Sequence, residues 1–315
     1  MNKISELLDN KKTVAISGHI RPDGDCIGSC MGMFHYIREN YPDIQVDVYL
    51  EEIPQVFYYI KDVDNIKHTC ENNREYDLFI SLDCAEKERL GNAAIYFDSA
   101  KSTVCIDHHI SNSGYADVNY IYPKASSASE LVYEVLEETK ITKDIAVALY
   151  TGIIHDTGVF QYSCTSSRTM EIAGKLIAKG ISFTEIVEGS FYKKTFIQNQ
   201  ILGRVLLESI LLLDGKCVAG ILNQQDMKFY NATSKDLNGI VSQLKFTEGV
   251  EVAIFLYELN NLEYKVSLRS NGKVDVNEVA SYFNGGGHVL AAGCTFHGTY
   301  RDALMNIAGQ VEKQL

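Results

Sequence analysis

Thr103-Val104-Cys105-Ile106-Asp107-His108-His109 decides how this chain is read: a short apolar, β-prone run leads straight into a carboxylate and two imidazoles. Such a run has the length and composition of a buried strand, and a strand that ends on charged residues delivers them to one rim of a sheet. The same grammar recurs elsewhere. Residues 13–17 read as a strand ending at His19, with Asp23 and Asp25 just beyond, and residues 78–82 as a strand ending at Asp83. A further apolar stretch at 145–154, with a helical pattern, runs into Asp156. Carboxylates brought together in this way cannot all stay ionised unless cations sit between them. The expectation is a site for two divalent metals in a hydrolase of phosphate esters.

Outward from these runs, Arg21-Pro22-Asp23-Gly24-Asp25 reads as a turn, and 27–38 as a helix with small residues Gly28, Ser29 and Gly32 near its start. A second strand is expected at 46–50, and helices at 2–10, 129–139, 167–178 and 183–189. In 129–139 the apolar positions Leu131, Val132, Val135 and Leu136 follow the helical 3/4 spacing. Strands alternating with helices predict an α/β fold with a doubly wound, mainly parallel sheet. Ligands then sit beyond the carboxyl ends of the strands, where His19, Asp83 and Asp107–His109 fall.

The character of the chain changes after 192–208, which reads as one more helix and a connector. Two hairpins follow, 209–213 with 217–222 around Asp214-Gly215, and 250–259 with 262–269 around Asn260-Asn261. With helices at about 235–245, 276–283 and 301–314, they predict a smaller C-terminal α+β domain. The expected division is a catalytic, metal-binding domain at 1–190, a helical linker at 191–208 and a substrate-binding domain at 209–315, with the catalytic cleft between the domains.

The 315 residues suffice for two domains, and the apolar share of 46% and charged share of 22% are those of an ordinary globular protein. The net charge of -12 argues against sequence-blind binding of long nucleic acid, which rests on a broad basic surface. It leaves room for a short nucleotide, because metals invert the local field of an acidic cleft. None of the eight Cys forms a Cys-x-x-Cys pair, and Cys84, Cys105, Cys217 and Cys294 lie in apolar runs, so buried reduced thiols are expected. No apolar signal core or membrane-length stretch is visible, which predicts a cytoplasmic protein without a membrane partner.

The candidate ligands are hard carboxylate oxygens (Asp23, Asp25, Asp83, Asp156) and imidazole nitrogens (His19, His108). That mixture suits Mn²⁺ or Mg²⁺ first, with Co²⁺ and Zn²⁺ behind. Each residue also has an ordinary reading: Asp23-Gly24 as turn chemistry, Asp83 as a helix N-cap, Asp156 as a helix end. It is their joint occurrence on one α/β pattern that favours the metal site. In the second domain, Asn284-Gly285-Gly286-Gly287-His288, followed by Ala291-Ala292-Gly293, reads as a loop whose backbone N–H groups and His288 cradle an anion. Arg269 supplies a guanidinium fork suited to phosphate.

Five motifs in order now resemble those of the DHH phosphoesterases, specifically the short two-domain members with a DHH-associated C-terminal domain. They are Gly18-His19-Ile20-Arg21-Pro22-Asp23-Gly24-Asp25, Ser81-Leu82-Asp83, Asp107-His108-His109, Asp156-Thr157-Gly158-Val159-Phe160, and Gly285–His288 with Ala291–Gly293. The match runs over nearly the whole chain. The resemblance implies that His19, Asp23 and Asp83 hold one metal, and that Asp25, Asp83, His108 and Asp156 hold the other, with Asp83 bridging. It implies that Asp107 orients an imidazole from behind and that His109 contacts the scissile phosphate. Arg269, Gly285, Gly286, Gly287 and His288 would grip the substrate. Two divalent ions, manganese foremost and magnesium or cobalt next, are the implied cofactors.

The implied activity is 3′–5′ exonucleolytic hydrolysis of oligoribonucleotides of two to five nucleotides to 5′-mononucleotides, with a 3′-phosphatase activity that converts pAp to AMP and phosphate. A phosphodiesterase of pApA or cyclic di-AMP is the runner-up. A manganese inorganic pyrophosphatase and a non-catalytic nucleotide-binding module stand further back; the second should have lost ligands, and none is missing. Long duplexes are not expected as partners, and the choice between monomer and homodimer stays open. Asn284 stands where many relatives carry a further Gly and Cys26 where they carry Ala, the latter read as a small core residue. His35, His68, His155 and His297 match no motif and are not expected to bind metal.

Overall fold

A computed structural model of the chain describes residues 4–70 and 74–315. The chain divides into two compact units, 1–193 and 194–315. The first contains α1 (Ile4–Leu8), β1 (Thr13–Ser17), α2 (Gly24–Asn40), β2 (Gln45–Tyr49), β3 (Ile66–Lys67), β4 (Leu78–Leu82), α3 (Ala94–Ser99), β5 (Thr103–Asp107), β6 (Val118–Ile121), α4 (Ala128–Val135), α5 (Lys143–Asp156), α6 (Ser167–Ile177) and α7 (Phe183–Val187). Of the helix expected at 2–10, Asn2 and Lys3 lie outside the described residues.

The six strands form a parallel sheet in the order β3-β2-β1-β4-β5-β6. The winding reverses between β1 and β4, and this switch point is where doubly wound sheets open a crevice for ligands. Both faces are covered, which is why the central strands read as unbroken apolar runs. Val14, Ile16, Leu78, Ile80 and Leu82 pack into a core with Ile27 and Met31 of α2 and Leu149 and Ile153 of α5. The alternate positions Ala15, Tyr49 and Phe79 face the other way, against Tyr76, Tyr96 and Phe97. Each such side chain contributes about 1.5–3 kcal/mol by burial, so the core below the rim fixes where the strand ends fall.

Local departures from expectation have local causes. The helix of 129–139 stops at Val135; Leu136 takes extended backbone and is buried nonetheless, so the apolar spacing outlives the helix. Strands β3 and β6 are short and lie at the edges of the sheet, too brief for a period to register.

The second unit contains α8 (Phe196–Leu207), β7 (Ile210–Leu212), β8 (Cys217–Leu222), α9 (Gln224–Phe229), α10 (Ile240–Lys245), β9 (Val252–Asn260), β10 (Glu263–Ser270), α11 (Val276–Tyr282), β11 (Gly286–His288), β12 (Ala291–His297) and α12 (Tyr300–Glu312). Its mixed sheet runs β11-β12-β10-β9-β8-β7, with β8 and β9 parallel and the other pairs antiparallel. Both expected hairpins form. Helix α8 gives Ile201 and Val205 to the core of this unit, beside Val218, Leu222 and Phe255. On the other face, Val276 and Val279 of α11 and Ile307 and Val311 of α12 cover the sheet.

The triple glycine is not the loop expected from its composition. Gly286–His288 is an edge strand, paired antiparallel with Ala291–Gly293. Glycine is needed there for close approach: a Cβ on Gly287 would lie 2.5 Å from the Ala291 carbonyl oxygen, and one on Gly285 2.3 Å from that of Gly293. The missing side chains admit a neighbouring backbone, where glycine alone had suggested a turn.

Candidate active site

Strands β1, β4 and β5 bring their ends to the switch point, and a helix end joins them. His19 follows β1. Its Nδ1 lies 2.8 Å from the Ile20 carbonyl oxygen, which can only accept, so Nδ1 carries the proton and Nε2 faces the cluster. There Nε2 lies 3.6 Å from Asp23 Oδ2 and 3.5 Å from Asp83 Oδ2. Asp83 directly follows β4 in left-handed backbone (φ 52°), a conformation that costs a non-glycine residue on the order of 1 kcal/mol or more and concentrates at functional sites. Its N–H donates to the Ile106 carbonyl at 3.1 Å, which ties it to β5. His108 comes from β5, with Nε2 3.5 Å from Asp83 Oδ1 and 3.1 Å from Asp156 Oδ2 at the end of α5. Asp83 thus turns one oxygen to His19 and the other to His108, the disposition of a carboxylate shared between two centres.

Asp23 and Asp25 flank the start of α2. Asp23 caps that helix, its Oδ1 accepting from the N–H groups of Asp25 and Cys26 at 3.1 Å each, while Oδ2 stays toward His19. The ordinary reading of Asp23 therefore holds alongside the functional one. Asp25 is fully buried and accepts from the first amides of α4, Ala128 N–H at 2.6 Å and Ser129 N–H at 3.0 Å. Space for it depends on Gly152 of α5, where a Cβ would lie 2.5 Å from Asp25 Oδ1. Asp25, His108 and Asp156 offer ligand atoms within 4.8 Å of one another, as do Asp83, His108 and His109, and His19, Cys26 and Asp83.

The electrostatics are those of acids and imidazoles crowded into one buried cluster. Burial opposes a proton on His19, but the carboxylates of Asp23 and Asp83 prevail and push it up to about 11. Burial likewise opposes one on His108, and Asp156 and Asp83 push it up to about 12. Asp25 is driven well above the usual carboxylate range by burial and by the charges of Asp83 and Asp156. Asp156 is raised by burial and by its acidic neighbours, with His108 opposing. Asp23 goes the other way, down to about 2, because His19 outweighs the effect of burial. A field that fastens protons on two imidazoles and discourages ionisation of two carboxylates would reward divalent cations, which displace such protons on binding. Burial, reinforced by Cys30, pushes the Cys26 thiol up, so it stays neutral and the donor set remains one of hard oxygens and imidazoles.

His109 and Asp107 form a second arrangement. Asp107 is fully buried and accepts from His109 Nδ1 at 2.7 Å, and this contact raises the imidazole and lowers the carboxylate against its burial. His109 Nδ1 lies 3.7 Å from Asp83 Oδ1. Asn112 and the amides of Ala128 and Ser129 support this site without having stood out in the sequence. Three other imidazoles have separate partners: His35 the Lys61 carbonyl, His68 the Leu50 carbonyl, and His155 the Ser190 hydroxyl.

In the second unit, Arg269 on β10 and His288 on β11 both pair with Ala291 of β12. The three form one row across the sheet, and directly paired residues share a face. The small Ala291 therefore separates a half-buried guanidinium from an exposed imidazole, beside the glycine strand.

The switch-point sheet, its acid–imidazole cluster and the mixed second sheet define a class: the chain belongs to the DHH family. The family's N-terminal domain matches residues 13–153, and the DHHA1 domain matches residues 216–314. A probable bifunctional oligoribonuclease and PAP phosphatase NrnA of Streptococcus mutans is 31% identical, over 89% of this chain and 88% of that protein. The bifunctional oligoribonuclease and PAP phosphatase NrnA of Bacillus subtilis is 28% identical, over 90% of each chain. The crystal structure of an exopolyphosphatase-related protein from Bacteroides fragilis superimposes with a TM-score of 0.88 at 26% identity, covering 98% of this chain and 94% of that one. Among the described residues, no helix is long and apolar enough to cross a membrane.

Proposed function

We propose that this DHH-family hydrolase cleaves oligoribonucleotides of two to five nucleotides from the 3′ end to 5′-mononucleotides, and removes the 3′-phosphate of pAp to leave AMP. The observation that carries the reading is Asp83, whose two carboxylate oxygens face His19 on one side and His108 on the other. His19, Asp23 and Asp83 would hold one divalent ion, and Asp25, Asp83, His108 and Asp156 the second. Manganese suits the set best, with magnesium or cobalt as substitutes. When bound, the ions supply Lewis-acid stabilisation of phosphoryl charge and lower the pKa of water.

The chain's own residues orient and exclude. Asp107 holds the proton on His109 Nδ1, so the imidazolium presents Nε2–H to a non-bridging phosphate oxygen and stabilises charge as the P–O bond breaks. Burial of Asp25 and Asp83 keeps bulk water from competing for their oxygens. Arg269 supplies a fork for a second phosphate, and Gly285, Gly286 and Gly287 offer a stretch without side chains, ending at the His288 imidazole, against which a nucleotide lies. In this division of labour the N-terminal domain, 1–190, carries the chemistry. Residues 209–315 read one end of a short substrate and so limit its length.

The test is release of mononucleotides from a labelled dinucleotide, and of phosphate from pAp, by purified protein in Mn²⁺. Turnover that chelation abolishes and Mn²⁺ restores is expected. Turnover confined to pApA and cyclic di-AMP would replace this substrate assignment, and no turnover of any of the four would refute it.

A further inference from the structure

We propose that Asn112 is a positioning residue of the reaction: it holds the Asp107 carboxylate so that His109 is aimed, and its effect on turnover runs through His109. The inference rests on the function proposed above. Asn112 is buried, and its Nδ2 lies 2.6 Å from Asp107 Oδ2 and 3.1 Å from the Cys84 carbonyl oxygen. The amide cannot be reversed. Its Oδ1 accepts from the Gly114 N–H at 2.9 Å, and a flip would set an oxygen against a carboxylate and a carbonyl while orphaning that N–H. The amide nitrogen therefore faces three acceptors, Asp107 Oδ2 at the shortest distance, then the Cys84 carbonyl and, at 3.4 Å, Cys105 Sγ. The His109 carbonyl in turn accepts from the Asn112 N–H at 3.2 Å, which closes a turn from His109 back to Asn112.

The consequence for Asp107 is specific. It is fully buried, so water cannot satisfy its oxygens. Asn112 occupies Oδ2, which leaves Oδ1 for His109 Nδ1 at 2.7 Å. Without the amide, Asp107 would gain a second rotamer, and His109 would lose both the fixed proton on Nδ1 and its aim. The bond to Cys84, the residue after the left-handed Asp83, holds the His109 turn against the Asp83 turn. None of the hydrogen bonds of the Asn112 side chain reaches a candidate metal-ligand side chain.

The experiment is a double-mutant cycle on turnover of a dinucleotide at saturating Mn²⁺, with Asn112→Ala, His109→Ala and the double variant, and Asn112→Ser in place of Asn112→Ala if that variant does not fold. The expected kcat loss for Asn112→Ala is about 10–100-fold, the size typical of residues that orient a reacting side chain from behind, with KM changed less than about threefold. In the His109→Ala background the same substitution should cost less than about threefold, because the residue it acts through is gone. A full and independent loss in that background overturns the proposal, as does unchanged kcat in the single variant, while wild-type turnover leaves the functional reading standing. If the wild type turns over none of the substrates, the functional reading fails, and the imidazole ¹⁵N spectrum decides the fate of Asn112. His109 Nδ1 should carry a fixed proton in the wild type and lose that signature in Asn112→Ala, and an unchanged spectrum overturns the proposal.

Discussion

The rim of the first sheet and the glycine-rich edge of the second are built on opposite plans. At the rim, charged side chains converge: Asp83, His19, His108 and Asp25 are buried or nearly so, and each is held by a named side-chain or backbone partner. At the edge, Gly286–His288 is exposed, and its backbone pairs with Ala291–Gly293 because side chains are absent. The first plan concentrates charge where it is expensive to desolvate, which suits chemistry. The second offers a flat, permissive surface with one guanidinium and one imidazole in a row, which suits holding a substrate.

That contrast predicts different kinetic signatures. Asp83→Ala should have the largest effect. Losing the shared ligand removes several kcal/mol of charge stabilisation, so kcat on dinucleotide and pAp should fall on the order of 10³-fold or more. The fold should persist, since the substitution also relieves like-charge crowding. Activity within tenfold of wild type would erase the distinction between the regions. Arg269→Ala comes next. Removing a phosphate fork should raise KM about tenfold and leave kcat within a few-fold, as expected of binding made equally in ground and transition states. A kcat loss to match Asp83→Ala would place the guanidinium with the chemistry instead.

The smallest effect on chemistry should come from Gly287→Val. The Cβ clash with the Ala291 carbonyl should cost about 1–3 kcal/mol of stability, read as a lowered Tm or denaturant midpoint. Mn²⁺ stoichiometry should not change. Loss of metal binding in that variant would mean that the two regions are not separable.

The two regions also differ in how far the sequence exposes them. His19, Asp83 and Asp107 were legible together because each falls at or just past the end of a buried strand, and strand ends of one sheet share a rim. Asp156 was legible from the helical stretch that delivers it. The glycine triplet was misread because glycine marks turns and close backbone approach alike, and only the pairing with Ala291–Gly293 distinguishes them. Asn112 lies in Ser111-Asn112-Ser113-Gly114, the composition of any turn. The cradle of Asp25 is made of the Ala128 and Ser129 amides, and a backbone N–H has no letter in the sequence. The shared row of Arg269 and His288 required the register of three strands, which no local pattern encodes.

The central claim is that Asp83 joins two cation sites at the switch point of the first sheet. The direct measurement is an anomalous difference map, at the manganese edge, from crystals of the intact chain soaked in Mn²⁺. Two peaks are expected on either side of the Asp83 carboxylate, one toward His19 and Asp23 and one toward His108, Asp25 and Asp156. A map without density at that rim, or with a single peak that Asp83 does not touch, would contradict it.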